Sequence, residues 1–202
     1  MPNWCENDLS IIGRKNDVID FFKKVGFNEK EKSLNDFLEQ NPLTLRSWMP
    51  MPETYKTMDT TNAKRQQNKD ESDEDYQKYS EEYDAAVKYQ DETYGVVGWY
   101  NYNLKTLGTK WDIQINEFEP NCCIGEQIFV TFSFLTAWCP PDAWLKTLIE
   151  EFPKLTFDLS AFEPGNAFTY HLVGSNGAID LEMEDTYTIE EDEENEEEEV
   201  LI

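Results

Sequence analysis

Positive charge is scarce in the second half of this sequence. Residues 111–202 contain two basic side chains, Lys146 and Lys154, against 22 acidic ones, while residues 1–110 contain 15 basic and 20 acidic. The 202 residues carry a net charge of −25, and twelve acids lie between Glu182 and Glu199. Residues 1–181 alone still carry −13, so the acidity belongs to the body of the chain as well as to its tail. Phosphate-backbone binding relies on Lys and Arg displacing counterions, so direct nucleic-acid binding is disfavoured and a basic partner is favoured.

Metal and redox motifs are also missing. The chain has one histidine, His171, and four cysteines: Cys5, the adjacent Cys122 and Cys123, and Cys139. No C-x-x-C occurs, and zinc spacing needs ligand pairs two to four residues apart. The cysteines therefore read as reduced thiols, and no metal or cofactor is expected. The sequence lacks a phosphate loop, a dinucleotide fingerprint and G-x-S-x-G. "VGSNG" (173–177) reads as a hairpin turn, not a phosphate cradle. The longest apolar-rich run, "IFVTFSFLTAWC", falls short of the ~20 residues of a membrane helix. Glu6, Asp8, Asp17 and Asp20 interrupt any leader-like segment. The expectation is a soluble cytoplasmic protein with no membrane partner.

What is abundant is aromatic: 12 Phe, 10 Tyr and 6 Trp, enough to build a large core. "NDLSII" (7–12) reads as a strand, and Asn16-Asp17 as the cap of a helix carrying Val18, Ile19, Phe21, Phe22 and Val25, closed by Gly26. "SLNDFLEQN" reads as a short helix from Ser33, residues 56–75 as a mobile polar loop, and 73–93 as an amphipathic helix with a stripe of Tyr76, Tyr79 and Tyr83. That stripe is expected to pack on the domain. "WDIQINEFE" (111–119) and "QIFVTFSFLTAW" (127–138) read as a hairpin around a turn at "PNCCIGE", with Trp111 in the core and Lys110 and Asp112 on the opposite face. A helix over 140–152, a strand over 154–163 and a hairpin over 166–184 follow. The order predicts an α+β fold, a ferredoxin-like split βαβ sheet with a helical insertion at about 27–110 and an added C-terminal hairpin. Helices cover one sheet face, and the insertion is a candidate cover for the other. Residues 1–184 form the domain, and 185–202 are an acidic disordered tail.

The segments "PNWCENDLSIIG", "MPMPE", "GWYNYNLKTLGTKWD" and "PPDAWLKTLIEEFPKLTFDLSAFEPGNAF" resemble the YubB ferredoxin-like family, over most of residues 1–175. Leu107 stands where that family often has Trp, and the polar loop at 56–75 and the acidic tail look like additions. The resemblance implies a phage, plasmid or prophage context and a largely uncharacterised family. It has no agreed catalytic residues to carry over.

Three functional expectations follow. In the first, the chain is a non-enzymatic interaction protein. An acidic surface including Glu117, Glu119, Glu126, Glu150, Glu151, Asp158 and Glu163 binds a basic, nucleic-acid-handling or defence protein of the host, by DNA mimicry or occlusion. The second is an enzyme of unknown reaction with a pocket between sheet and inserted helices, near Trp99, Lys110, Asp112 and His171. It requires those residues to converge. The third is an accessory protein whose charge serves solubility.

Overall fold

The structure, a computed structural model, describes residues 3–115, 117–124 and 127–186, with the backbone alone along 119–124. In chain order the strands are β1 (Trp4–Arg14), β2 (Leu43–Thr44), β3 (Gln114–Ile115), β4 (Glu117–Ile124), β5 (Gln127–Ala137), β6 (Thr156–Glu163), β7 (Phe168–Ser175) and β8 (Ala178–Thr186). The helices are α1 (Lys15–Lys23), α2 (Leu34–Gln40), α3 (Leu45–Trp48), α4 (Thr54–Thr57), α5 (Asp73–Tyr94), α6 (Trp99–Leu107) and α7 (Asp142–Glu151). Six strands form one antiparallel sheet in the order β4-β5-β1-β6-β7-β8. Its first four are the strands of a split βαβ unit, with α1 and α7 as the crossover helices, and β7–β8 is the added hairpin. The expected α+β, ferredoxin-like class is what the chain adopts.

Alternation along β1 sets the two faces. Cys5, Asn7, Leu9 and Ile11 are buried, while Trp4, Glu6 and Asp8 are exposed. The buried face meets Val18, Phe21 and Phe22 of α1 and Trp144, Leu145 and Leu148 of α7. The insertion joins this same side. Trp48 from α3 packs its ring 5.1 Å from Phe21, 5.9 Å from Trp144 and 6.5 Å from Phe132. Full burial of each such side chain contributes roughly 1.5–3 kcal/mol, so the insertion is part of the core. Among the described residues the second sheet face stays open, with Trp4, Leu135, Phe162 and Met183 exposed on it, and the insertion does not cover it.

Local details differ from the sequence expectation. Helix α1 starts at Lys15 with Arg14 as its N-cap and no side-chain cap, so Asn16 and Asp17 lie inside the first turn, where Asp17 suits the helix dipole. The expected strand over 111–119 is split. Gln114–Ile115 pairs with Leu43–Thr44, and Glu117 opens β4, which runs through "PNCCI" to Ile124. Trp111 precedes both pieces and is only half-buried. Strand β8 runs to Thr186, two residues past the expected boundary, and the rest of the tail lies outside the described residues.

The Tyr stripe of α5 packs on residues 54–66, not on the sheet. Tyr83 donates to Asn62 O (2.8 Å), and the Arg65 guanidinium lies 4.0 Å from the Tyr79 ring centroid. The polar stretch expected to be mobile thus has few regular turns but is tied along the helix. Lys146 of α7 bridges Asp142 (3.0 Å) and Glu182 of β8 (2.7 Å), and Tyr170 also donates to Glu182 (2.8 Å). Those bonds from Lys146 and Tyr170 hold the Glu182 carboxyl below its usual range, and burial, then the bond to Glu182, raises the Tyr170 phenol. This ties the added hairpin to the core helix.

Candidate functional site

The open sheet face is the surface on which chemistry-bearing residues gather. Register makes rows across it. One runs Glu117, Ser133, Asp8, Ser160, His171 and Met183, each opposite the next. The neighbouring row brings Leu135, Glu6, Phe162, Thr169 and Asp185 into line. Asp158 lies on the same face, its Oδ1 2.9 Å from His171 Nε2. Ser133 donates to Asp8 Oδ1 (2.6 Å).

Two clefts lie side by side on this face. One, of about 530 Å³, is lined by Trp4, Ile113, Glu117 and Leu135 among others; the second, of about 410 Å³, by Thr169, His171, Met183 and Asp185. Glu6 and Asp8 line both, so the two carboxylates of β1 stand at the centre of a continuous groove. Neither cleft is lined by a lysine or arginine. A larger cavity, of about 1060 Å³, lies where β1 runs into α1. Its Arg14, Lys15 and Lys154 are largely offset by Asp17 and Asp20, with Lys154 3.5 Å from Asp17, so its lining mixes both signs.

An aromatic shelf borders the groove. The rings of Trp4 and Trp111 are 6.4 Å apart, and those of Trp111 and Trp138 6.0 Å. Lys110 Nζ sits 4.7 Å from the Trp111 ring, 5.2 Å from Trp138 and 5.7 Å from Tyr100. Trp138 holds φ 64°, a left-handed conformation that bulky residues rarely adopt. It forms the corner between β5 and α7, where its amide donates to Asn3 O (2.9 Å).

The four residues expected around an enzymatic pocket are not brought together. Trp99 opens α6 against Tyr100. Lys110 lies on the aromatic shelf, and Asp112 accepts from the Arg46 amide (3.0 Å) at the start of α3. His171 lies in the other cleft, paired with Asp158. Lys110 and Asp112 are not on a strand, so they do not share the face predicted for them. Burial pushes the Cys5 thiol up to about 12 and raises that of Cys139, which leaves both poor nucleophiles. Among the described residues no group of three or more His, Cys, Asp or Glu is placed to hold a metal ion. No described helix is long and apolar enough to cross a membrane.

The expected acidic surface is partly redrawn. Glu117 and Asp158 are on the open face. Glu150 is exposed on α7, on the other side of the sheet, and Glu151 there pairs with Lys24. Glu163 is fully buried, its carboxylate accepting from the amides of Gly165 (2.7 Å) and Asn166 (2.6 Å), so it belongs to a turn and not to a surface. Glu126 and the side chain of Glu119 lie outside the described residues. Sequence reading missed Glu6, Asp8 and Asp185. The signal was present: in "WCENDLSI" Trp4, Glu6 and Asp8 alternate with buried Cys5, Asn7 and Leu9, a period-two pattern that starts three residues before the strand first recognised.

Residues 110–201 match the family model described as the ferredoxin-like domain in Api92-like protein, which covers β3 to β8 and α7. Among solved structures, the crystal structure of protein api92 from Yersinia pseudotuberculosis is similar, with a TM-score of 0.46 and 12% identity, covering 93% of this chain and 99% of that one. No curated protein matches.

Proposed function

We propose that the chain is a non-enzymatic interaction protein whose open, acidic sheet face binds a basic surface of another protein and occludes it. The observation that carries this is the groove around Glu6 and Asp8, flanked by Glu117, Asp158 and Asp185 and lined by no lysine or arginine. The resemblance to phage- and plasmid-borne YubB-like proteins supplies the context, a bacterial host protein that handles nucleic acid or defends against it.

Charge density favours occlusion over imitation of DNA. Six strands span about 24 Å, a length of duplex that carries roughly 14 phosphates. The five described carboxylates of the face are far sparser. Exposed charge pairs contribute about 0.2–1 kcal/mol each, so these side chains steer encounter and set register more than they hold the complex.

The test is a pull-down from bacterial lysate at about 0.15 M salt, where the screening length is ~8 Å. Wild type is compared with the triple variant Glu6→Lys, Asp8→Lys, Glu117→Lys and with a chain ending at Thr186. A basic protein retained by wild type and by the shortened chain, and lost by the triple variant, is the expected result. Equal retention by the triple variant, with its fold checked by circular dichroism, would sink the proposal.

A further inference from the structure

We infer that the shelf of Trp4, Trp111 and Trp138 is a receiving site for an arginine side chain of the basic partner, and that Lys110 occupies it until the partner displaces it. This rests on the acidic-face reading above and names the anchor that reading lacks. The rings already present their faces to a cation, since Lys110 Nζ lies within cation–π range of Tyr100, Trp111 and Trp138. Its ammonium has no carboxylate within ion-pair reach among the described residues, although the chain carries 42 acids. A lysine held by ring faces alone can leave without breaking an ion pair.

Two indoles of the shelf stay exposed, Trp4 at 43% and Trp138 at 40%. Trp138 does so from a left-handed backbone that disfavours any residue but glycine, asparagine or aspartate. Its ring packs on Trp111 at 6.0 Å yet keeps 40% of the residue exposed, and a role in contact accounts for that exposed part. A planar guanidinium stacks on an indole better than an ammonium does, which selects arginine over lysine. Trp4 also lines the cleft with Glu6, Asp8 and Glu117. An extended segment advances about 6.6 Å per two residues, so an arginine on the shelf sets its next alternate side chains over those carboxylates. Phosphate-bearing strands, which also stack on aromatics, meet the same carboxylates as repulsion.

The probe is a short, end-blocked peptide of alternating arginine and glycine, with a lysine–glycine peptide as control, titrated calorimetrically into the full chain. Glycine suits the backbone of position 138, so Trp138→Gly removes the indole without straining the corner. Trp138→Gly should weaken the arginine peptide by roughly fivefold to thirtyfold and the lysine peptide less. Lys110→Met should tighten the arginine peptide severalfold, and the gain should persist at about 1 M salt, where charge effects reach only ~3 Å. If both variants bind like wild type while the triple carboxylate variant loses binding, the shelf is overturned and the acidic face stands. If the triple variant also binds unchanged, or a single-stranded oligonucleotide binds more tightly than the peptide, both are overturned.

Discussion

Glu163 shows how a single charged residue can be read from pattern yet misread from type. Strand β6 buries Phe157, Leu159, Ala161 and Glu163, every second residue, so the period of two places Glu163 inside. Its charge argues for the surface, and what reconciles the two is the turn that Pro164-Gly165-Asn166 makes directly after it. After β6 the chain doubles back, and the carboxylate caps the amides of Gly165 and Asn166. The turn is tight enough that a Cβ on Gly165 would lie 2.3 Å from Asn3 Nδ2 and 2.8 Å from Glu163 Oε1. Hydrogen bonds to a charged acceptor contribute about 1.5–3 kcal/mol, and truncation hands the two amides, which belong to exposed residues, back to water. Glu163→Ala should therefore cost roughly 2–4 kcal/mol, lowering the melting temperature by about 5–15 °C at this chain length, and Glu163→Gln should cost less. A shift of under about 1 °C by calorimetry would show that water replaces the carboxylate at no cost.

At the scale of elements, the regular pieces were legible wherever the period ran long. Helix α7, strands β5 to β7 and the hairpin at Gly177 fall where alternation and turn residues put them. The segment around Trp111 was not legible. Its alternation is that of a strand, but a two-residue ladder with Leu43–Thr44, distant in sequence, captures Gln114–Ile115 and leaves Trp111 outside. The same kind of long-range partner governs α5. Its tyrosines form the visible stripe, yet its best-buried side chain is Gln90, which no hydrophobic pattern picks out. Gln90 accepts from Thr60 Oγ1 (2.5 Å) and the Gly98 amide (3.1 Å) and donates to Thr54 O (3.1 Å). It therefore joins α4, the 58–66 stretch and the start of α6 to one helix. Gln90→Ala should expose residues 58–72 to limited proteolysis while the main melting transition, set by the sheet and its core, moves little. Cleavage at the wild-type rate would mean that the tyrosine contacts alone hold this arm.

For the whole molecule, charge is the property that sequence gives completely and structure distributes. A net of −25 on one chain repels itself, and the described face adds local crowding, with Glu6 and Asp8 two residues apart on β1. A chain selected for stability alone would intersperse both signs across its surface. Keeping the groove free of lysine and arginine instead stores repulsion that a cationic partner relieves. Salt should relieve part of it in the partner's place. Raising ionic strength from about 0.01 M to 0.1 M shortens the screening length from ~30 to ~10 Å, so the melting temperature should rise by several degrees. Ending the chain at Thr186 removes nine acids, taking the net charge from −25 to −16, and should shrink that rise without abolishing it. A rise that vanishes in the shortened chain would place the repulsion in the tail alone and remove the energetic case for the sheet face. A rise that survives there, and falls further in the triple variant Glu6→Lys, Asp8→Lys, Glu117→Lys, would locate stored repulsion in the groove where the partner is proposed to bind.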